Sequence, residues 1–276
     1  MRLSIITDEV SQDLSEALNY AQSRGLDAVE LRSAWGVNLC EASDEQLASA
    51  RALVKERGIS VCCLASPVYK ADLEAVAEPV GATHGASNVA LEQQLALAER
   101  ACQIANSFEC PIVRIFSFWK RGDLSHEIFR SIVEKLAELE GIAERYGIVF
   151  ALENEHSCWL GTGEETAKAV RSVGDWLKMV WDPGNAFCAG GDPNEGLLAA
   201  LPFIAHAHVK DARKTDEGYE WAGIDEGEID FDFQFARLKE AGYKGAVSIE
   251  THAKKDGMSQ ADVTDLCLNA VRRRLN

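Results

Sequence analysis

The chain has 276 residues, a length that one α/β barrel routinely uses and that buries a large core. Hydrophobic residues make up 47% and charged residues 26%, which excludes wholesale disorder. Lys+Arg number 28 against 44 Asp+Glu; the resulting charge of −16 argues against a broad nucleic-acid or anionic-membrane surface but leaves room for a small basic phosphate pocket.

Short apolar runs alternate with helix-length periodic segments from end to end. A strand is expected over 3–7, a helix over 12–24 stopped by Gly25, and a second strand over 28–32. The 44–57 segment carries Leu47, Ala50, Leu53 and Val54 at helical spacing and ends at Gly58. A third strand follows over 59–64. The 66–87 stretch, with Pro67, Pro79, Gly81 and Gly85, breaks the rhythm and reads as a lid, or as a passive surface loop or short helix. The rhythm resumes with a helix over 88–107, a strand over 112–116 and one long helix over 125–146 stopped by Gly147. Strands over 148–153, 177–182, 204–209 and 246–251 complete the set. Helices fill 164–173, a short piece after Pro193, 231–241 and 259–274. Eight βα units without a linker predict an α/β protein made of a single (β/α)8 TIM barrel, one domain over 1–276.

No run of about 18 apolar residues occurs, so no membrane span is expected. The opening residues turn acidic at Asp8-Glu9, too soon for a secretory signal. Eight cysteines, dilute and without a CxxC pair, read as reduced thiols. These features point to the cytoplasm.

In such barrels chemistry sits at the C-terminal strand ends. Four consecutive strands present Glu153, Asp182, His208 and Glu250 at that rim, at successive separations of 29, 26 and 42 residues. Three converging carboxylates repel and cannot all stay ionised unpaired; one divalent cation resolves this. Three carboxylates and an imidazole suit Mn²⁺ or Mg²⁺, with Co²⁺ and Zn²⁺ as further candidates.

The early strand Asp27-Ala28-Val29-Glu30-Leu31-Arg32 precedes Leu152-Glu153-Asn154, Trp181-Asp182-Pro183-Gly184-Asn185, His208-Val209-Lys210-Asp211 and Ile249-Glu250-Thr251. In that order the motifs resemble the xylose-isomerase-like barrel superfamily of sugar and sugar-phosphate isomerases and epimerases, over almost the full length. The resemblance implies that Glu153, Asp182, His208 and Glu250 bind one divalent metal and that Glu153 and Glu250 are the catalytic pair. A keto sugar or sugar phosphate would lose a proton to one metal-bound glutamate, pass through an enediolate and regain the proton from the other. Return to the opposite face is epimerisation, return to the neighbouring carbon is isomerisation, and loss of a β-hydroxyl is a keto-inositol or dehydroshikimate type of dehydration. A non-catalytic sugar-binding barrel is the alternative of a different class. Homodimers or homotetramers are also implied.

Two positions depart from the branch acting on free ketoses: Asn185 stands where that branch has His, and Trp159 where it has Glu. The abasic-site endonucleases of the superfamily need a histidine-rich three-zinc site. The six histidines here do not supply that pattern, so nucleic acid is not the expected partner.

Further positions complete the expected site. Glu155, His156, Asn185 and Lys210 are assigned to substrate, with capping of the loop after the fifth strand as the other role for Glu155 and His156 and an ion pair to a rim carboxylate as the other role for Lys210. His206 reads as a packed core-layer histidine. Glu30 is expected to line the pocket with Arg32 paired to it, and Arg114 to orient Glu153. Lys120-Arg121 reads as a solvated charge pair, with a phosphate clamp as the alternative. Trp35, Phe116, Trp119, Trp159 and Trp221 lie near rim loops, where they pack or stack on sugar C–H surfaces.

Overall fold

A computed structural model describes residues 1–74 and 84–275. Pro79 and Gly81 of the irregular 66–87 stretch lie outside the described residues. Eight parallel strands form the barrel: β1 Arg2–Ile5, β2 Ala28–Leu31, β3 Ser60–Ala65, β4 Ile112–Ile115, β5 Val149–Glu153, β6 Lys178–Trp181, β7 Ile204–Val209 and β8 Ala246–Ile249. Each pairs with its sequence neighbour and β8 returns to β1, with Ile5 opposite Ile249. A parallel bridge between Ile6 and Glu30 joins β1 to β2 and closes the ring. The expected (β/α)8 barrel is therefore present.

The two-residue period of a strand divides these residues by face. Val29, Leu31, Val113, Ile115, Phe150, Leu152, Met179, Trp181, Val247 and Ile249 point outward into the hydrophobic layer under the helices. The alternate residues Glu30, Arg114, Glu153, His206, His208 and Ser248 are buried polar groups of the barrel interior. A one-residue slip would exchange the two sets, so the hydrophobic pattern itself fixes which side chains meet inside.

The helices begin and end where local chemistry dictates. Helices α1 Leu14–Ser23, α2 Asp44–Arg57 and α3 Gln94–Ser107 follow the first three strands. Ser43 and Gln46 cap α2 reciprocally, and Gly58 ends it at φ 61°. The long helix expected over 125–146 is instead two, α4 His126–Ala137 and α5 Glu140–Tyr146. Between them Glu138 and Leu139 donate to Lys135 and Leu136, so the ladder tightens to three-residue bonds while Leu139 stays buried. Helix α6 Gly163–Val173 is capped by Thr162 and Glu165.

The sequence reading missed α7 Pro183–Cys188, with Asp182 as its N-cap and Pro183 in its first turn. Helices α8 Pro193–Ala200, α9 Phe231–Glu240 and α10 Gln260–Leu275 complete the outer layer. Two hairpins were also missed: Ser33–Ala34 with Val37–Asn38 after β2, and Asp211–Thr215 with Gly218–Ala222 after β7. Asp211 anchors the second by accepting backbone N–H bonds from Ala212, Asp225, Gly227 and Ile229. All eight cysteines are unpaired, and no described helix is long and apolar enough to cross a membrane.

Helices α6 and α8 touch through glycines: a Cβ on Gly163 would fall onto the backbone of Gly196. Gly163→Ala should therefore destabilise the fold by about 1–3 kcal/mol through overpacking. Gly141 in α5 has open space around its missing Cβ. Gly141→Ala should stabilise by about 0.5–1 kcal/mol through helix propensity. Urea unfolding of the two variants checks both signs.

Candidate functional site

Glu153 ends β5, Asp182 follows β6, His208 lies in β7 and Glu250 follows β8. Their ligand-capable atoms all lie within 4.8 Å of one another, and all four residues are buried. His208 Nδ1 faces the three carboxylates, at 3.1 Å from Glu153 Oε1, 3.8 Å from Asp182 Oδ2 and 3.7 Å from Glu250 Oε2.

Each outer glutamate turns one oxygen inward and has the other held by an arginine. Arg114 Nη1 donates to Glu153 Oε2 at 3.0 Å, and Arg32 Nη1 donates to Glu250 Oε1 at 2.8 Å. The expected role of Arg114 beside Glu153 is thus seen in the geometry. Arg32, in contrast, does not pair with Glu30: it engages Asp8, Glu9 and Glu250. Nor does Glu30 line the cavity. It sits fully buried behind His208, with Nε2 3.1 Å from both its oxygens, and meets His206 Nε2 at 2.7 Å. The reason is reach. The long guanidinium crosses the β1–β2 closure to β8, while the shorter carboxylate stays within the barrel among imidazoles. His206 is a buried interior histidine, bonded also to Ser248 at 3.1 Å.

The electrostatics follow from these contacts. Burial would raise Glu30, Glu153 and Glu250, but neighbouring basic side chains outweigh it. Glu30 is held well below the usual range by His208 and His206, Glu153 is lowered by Arg114 and His208, and Glu250 is held well below by Lys210 and His252. Asp182 goes the other way. Burial, with Glu250 and Glu153 adding to it, pushes it up to about 6 against Lys210 and His208. Burial lowers His208, yet Glu30 and Glu153 outweigh it and hold the imidazole well above its ordinary value.

The donor set fits a divalent cation. Asp182 Oδ1 caps α7 through the Asn185 N–H, while buried Oδ2 accepts no well-formed hydrogen bond. Lys210 Nζ stands 3.0 Å from that oxygen and 2.6 Å from Glu250 Oε2, so the same oxygens already attract positive charge. Glu30 behind Nε2 leaves Nδ1 as the nitrogen free to face a cation, the usual carboxylate support of a metal-ligating histidine.

Above this cluster opens a cavity of about 250 Å³. Glu250 belongs to both the cluster and the cavity wall, which also includes Arg32, Arg114, Lys210 and Glu155. Lys70, His84, Ser157 and His252 join them from loops. The sequence reading assigned none of these four a role; His252, two residues past Glu250 on the same alternation, was the one with a signal.

His156 lines the cavity, whereas Asn185 is fully buried and uses its amide on Glu153 and His156. Lys210 takes the ion-pair position on the rim carboxylates and also borders the cavity. Trp119 and Trp221 line the cavity; Trp159 packs in the core and Trp35 is partly exposed. Arg121 pairs with Asp72 and neither it nor Lys120 borders the cavity, so the pair forms no phosphate clamp there.

A profile described as the xylose isomerase-like TIM barrel matches residues 18–266. The chain belongs to the xylose isomerase-like TIM barrel family. It is 34% identical over 140 residues to an inosose isomerase of Bacillus velezensis, a stretch covering 48% of this chain and 49% of that protein. An inosose dehydratase of the same organism is 30% identical over 101 residues, covering 35% of this chain and 33% of the relative. The chain thus spans about half the length, or less, of these curated relatives. Among solved structures, the IOLI protein with a bound zinc atom superposes with a TM-score of 0.78 at 23% identity, covering 100% of this chain and 98% of that one.

Metal binding should carry a pH signature. A cation needs Asp182 ionised and His208 Nδ1 free of its proton, and both protons are held more tightly than usual. Mn²⁺ affinity measured by calorimetry should fall about tenfold or more per pH unit below about 6. Glu30→Gln should weaken Mn²⁺ binding roughly 10–100-fold at neutral pH by removing the carboxylate behind His208.

Proposed function

We propose that this protein is a divalent-metal-dependent isomerase or epimerase of a small polyhydroxy ketone. The convergence of Glu153, Asp182, His208 and Glu250 beneath a cavity that shares Glu250 carries this reading. The family membership and the inosose isomerase relative support it. Mn²⁺ or Mg²⁺ suits the oxygen-rich donor set. When bound, the cation supplies Lewis acidity that polarises a carbonyl and acidifies the adjacent C–H.

The protein's own residues do the rest. Glu153 and Glu250 stand at the two ends of the arc of four. Each keeps one oxygen toward the cluster and the other under an arginine that lines the cavity. That clamp fixes the direction of both carboxylates, and on Glu153 it also favours the ionised form. One glutamate accepts the proton from carbon and the other returns one. Trp119 and Trp221 offer ring faces and edges to C–H surfaces, and exclude water from the wall they form.

The charge balance favours an uncharged substrate over a sugar phosphate. Arg32 is committed to Asp8, Glu9 and Glu250, Lys70 to Glu155, Arg114 to Glu153, and Lys210 to Asp182 and Glu250. A volume of about 250 Å³ suits a compact ring such as a keto-inositol.

The test is proton exchange. With Mn²⁺ and a keto-inositol in D₂O, the protein should place deuterium on the carbon beside the carbonyl. Glu153→Gln and Glu250→Gln should each slow product formation by about 10²–10⁴-fold. Full-rate turnover by either variant would remove that glutamate from the proton relay, and no exchange by the wild type with any small keto sugar would remove the reading itself.

A further inference from the structure

Beside the ring of four, a second group of metal-binding residue types is closed inside the barrel. Ligand-capable atoms of Glu30, Cys63 and His206 all lie within 4.8 Å of one another, and all three residues are fully buried. The strands explain how they meet. A strict two-residue period would send Cys62 and Cys63 to opposite faces of β3. The register between β2 and β3 instead shifts at Val29/Glu30, and Cys63 comes to lie opposite Glu30. His206 arrives from β7.

Two of the three groups have unused bonding capacity. Cys62 Sγ donates to the Val29 carbonyl at 3.2 Å and stands 3.3 Å from Ser4 Oγ. Cys63, also a free buried thiol, makes no hydrogen bond among the described residues. His206 meets Glu30 Oε2 at 2.7 Å and Ser248 Oγ at 3.1 Å through Nε2, while its buried Nδ1 has no hydrogen-bond partner. Buried polar atoms left without a partner are rare in folded proteins.

We propose that Glu30, Cys63 and His206 form a second cation site, selective for Zn²⁺ over Mn²⁺ and Mg²⁺, that links β2 and β3 to β7 through the barrel interior. It does not rest on the carbon chemistry proposed above. Thiolate, imidazole and carboxylate are the ligands that Zn²⁺ takes, and water completes a tetrahedral set of four. Hard cations prefer oxygen, so the ring of three carboxylates and this thiol-bearing group sort two kinds of ion by ligand softness. Charge favours the same ion. Zn²⁺, a thiolate, a carboxylate and a neutral imidazole sum to zero, so no net charge is buried. The Cys63 thiol releases its proton to solvent as the Zn–S bond forms, and no electron is transferred. The place in the fold gives such an ion a structural role. β1 joins β2 through the single bridge between Ile6 and Glu30, and an ion held by Glu30 ties that seam to β7.

The experiment titrates the metal-free full chain with Co²⁺, a spectroscopically visible stand-in for Zn²⁺. The wild type should take up an ion beyond the one at the barrel mouth and show a thiolate-to-cobalt charge-transfer band in the near ultraviolet. Zn²⁺ should abolish the band by displacement, and excess Mn²⁺ should leave it. Cys63→Ser should lose both the band and the additional ion. Cys188→Ser, which changes the only cysteine that is not buried, should keep both. Asp182→Asn, whose side chain can still cap α7, should lose the mouth ion and keep the band. Anomalous diffraction from wild-type crystals grown with Zn²⁺ should place a peak among Glu30, Cys63 and His206, and this needs no variant to fold. No band at Co²⁺ saturation, a band that survives Cys63→Ser or vanishes in Cys188→Ser, or no anomalous peak there overturns the site. Displacement of the band by Mn²⁺ overturns the selectivity. Loss of Mn²⁺ binding at the mouth with the band intact removes the metal of the proposed function and leaves this site standing.

Discussion

Buried negative charge is the constraint on which the rest of the barrel mouth depends. Glu30, Glu153, Asp182 and Glu250 are all withdrawn from solvent within one small volume. Two like charges 4 Å apart repel by about 4 kcal/mol even at an effective dielectric of 20. The fold answers with a basic partner for each. Arg114 meets Glu153, Arg32 meets Glu250, Lys210 bridges Asp182 and Glu250, and the two imidazoles meet Glu30. Asp182 is the least compensated of the four, which is why its carboxyl alone is driven upward. The cluster is therefore poised for one more positive charge at the atom with the least hydrogen bonding, Asp182 Oδ2.

Much of this arrangement was legible because it rides on strand periodicity. An apolar residue on each side of Glu30, Arg114 and His208 fixes the inward face of those strands, and Leu152, Trp181 and Ile249 do the same for Glu153, Asp182 and Glu250. Parallel pairing of neighbours then makes sequence order equal spatial order, with Ser248 opposite His208 and Glu153 opposite Val180. The ring of four needed no knowledge of loop geometry.

What was not legible comes from segments without a period. Lys70, His84 and His252 reach the cavity from loops, where a charged residue looks the same whether it faces solvent or a substrate. The hairpin that carries Trp221 is short and largely exposed, so no buried face marks it in the sequence. The partner of Arg32 was misjudged because same-face neighbours along β2 suggest Glu30, whereas barrel closure puts Glu250 within reach. Helix α7 was missed although Asp182-Pro183 is a start signal. The aspartate serves two ends, one oxygen capping the helix and the other joining the cluster, and only the second was read.

Asn185 shows what a neutral side chain contributes at such a place. Its amide donates to Glu153 with one end and meets His156 with the other, so it ties the carboxylate to the imidazole without adding charge. A third imidazole at this position would bring another titrating group against Glu153, where His208 and Arg114 already press the carboxyl down. The amide avoids that, and it keeps Glu153 and His156 apart by one hydrogen-bonded unit. With an amide at 185, the imidazole of this neighbourhood is His156, beside Glu155.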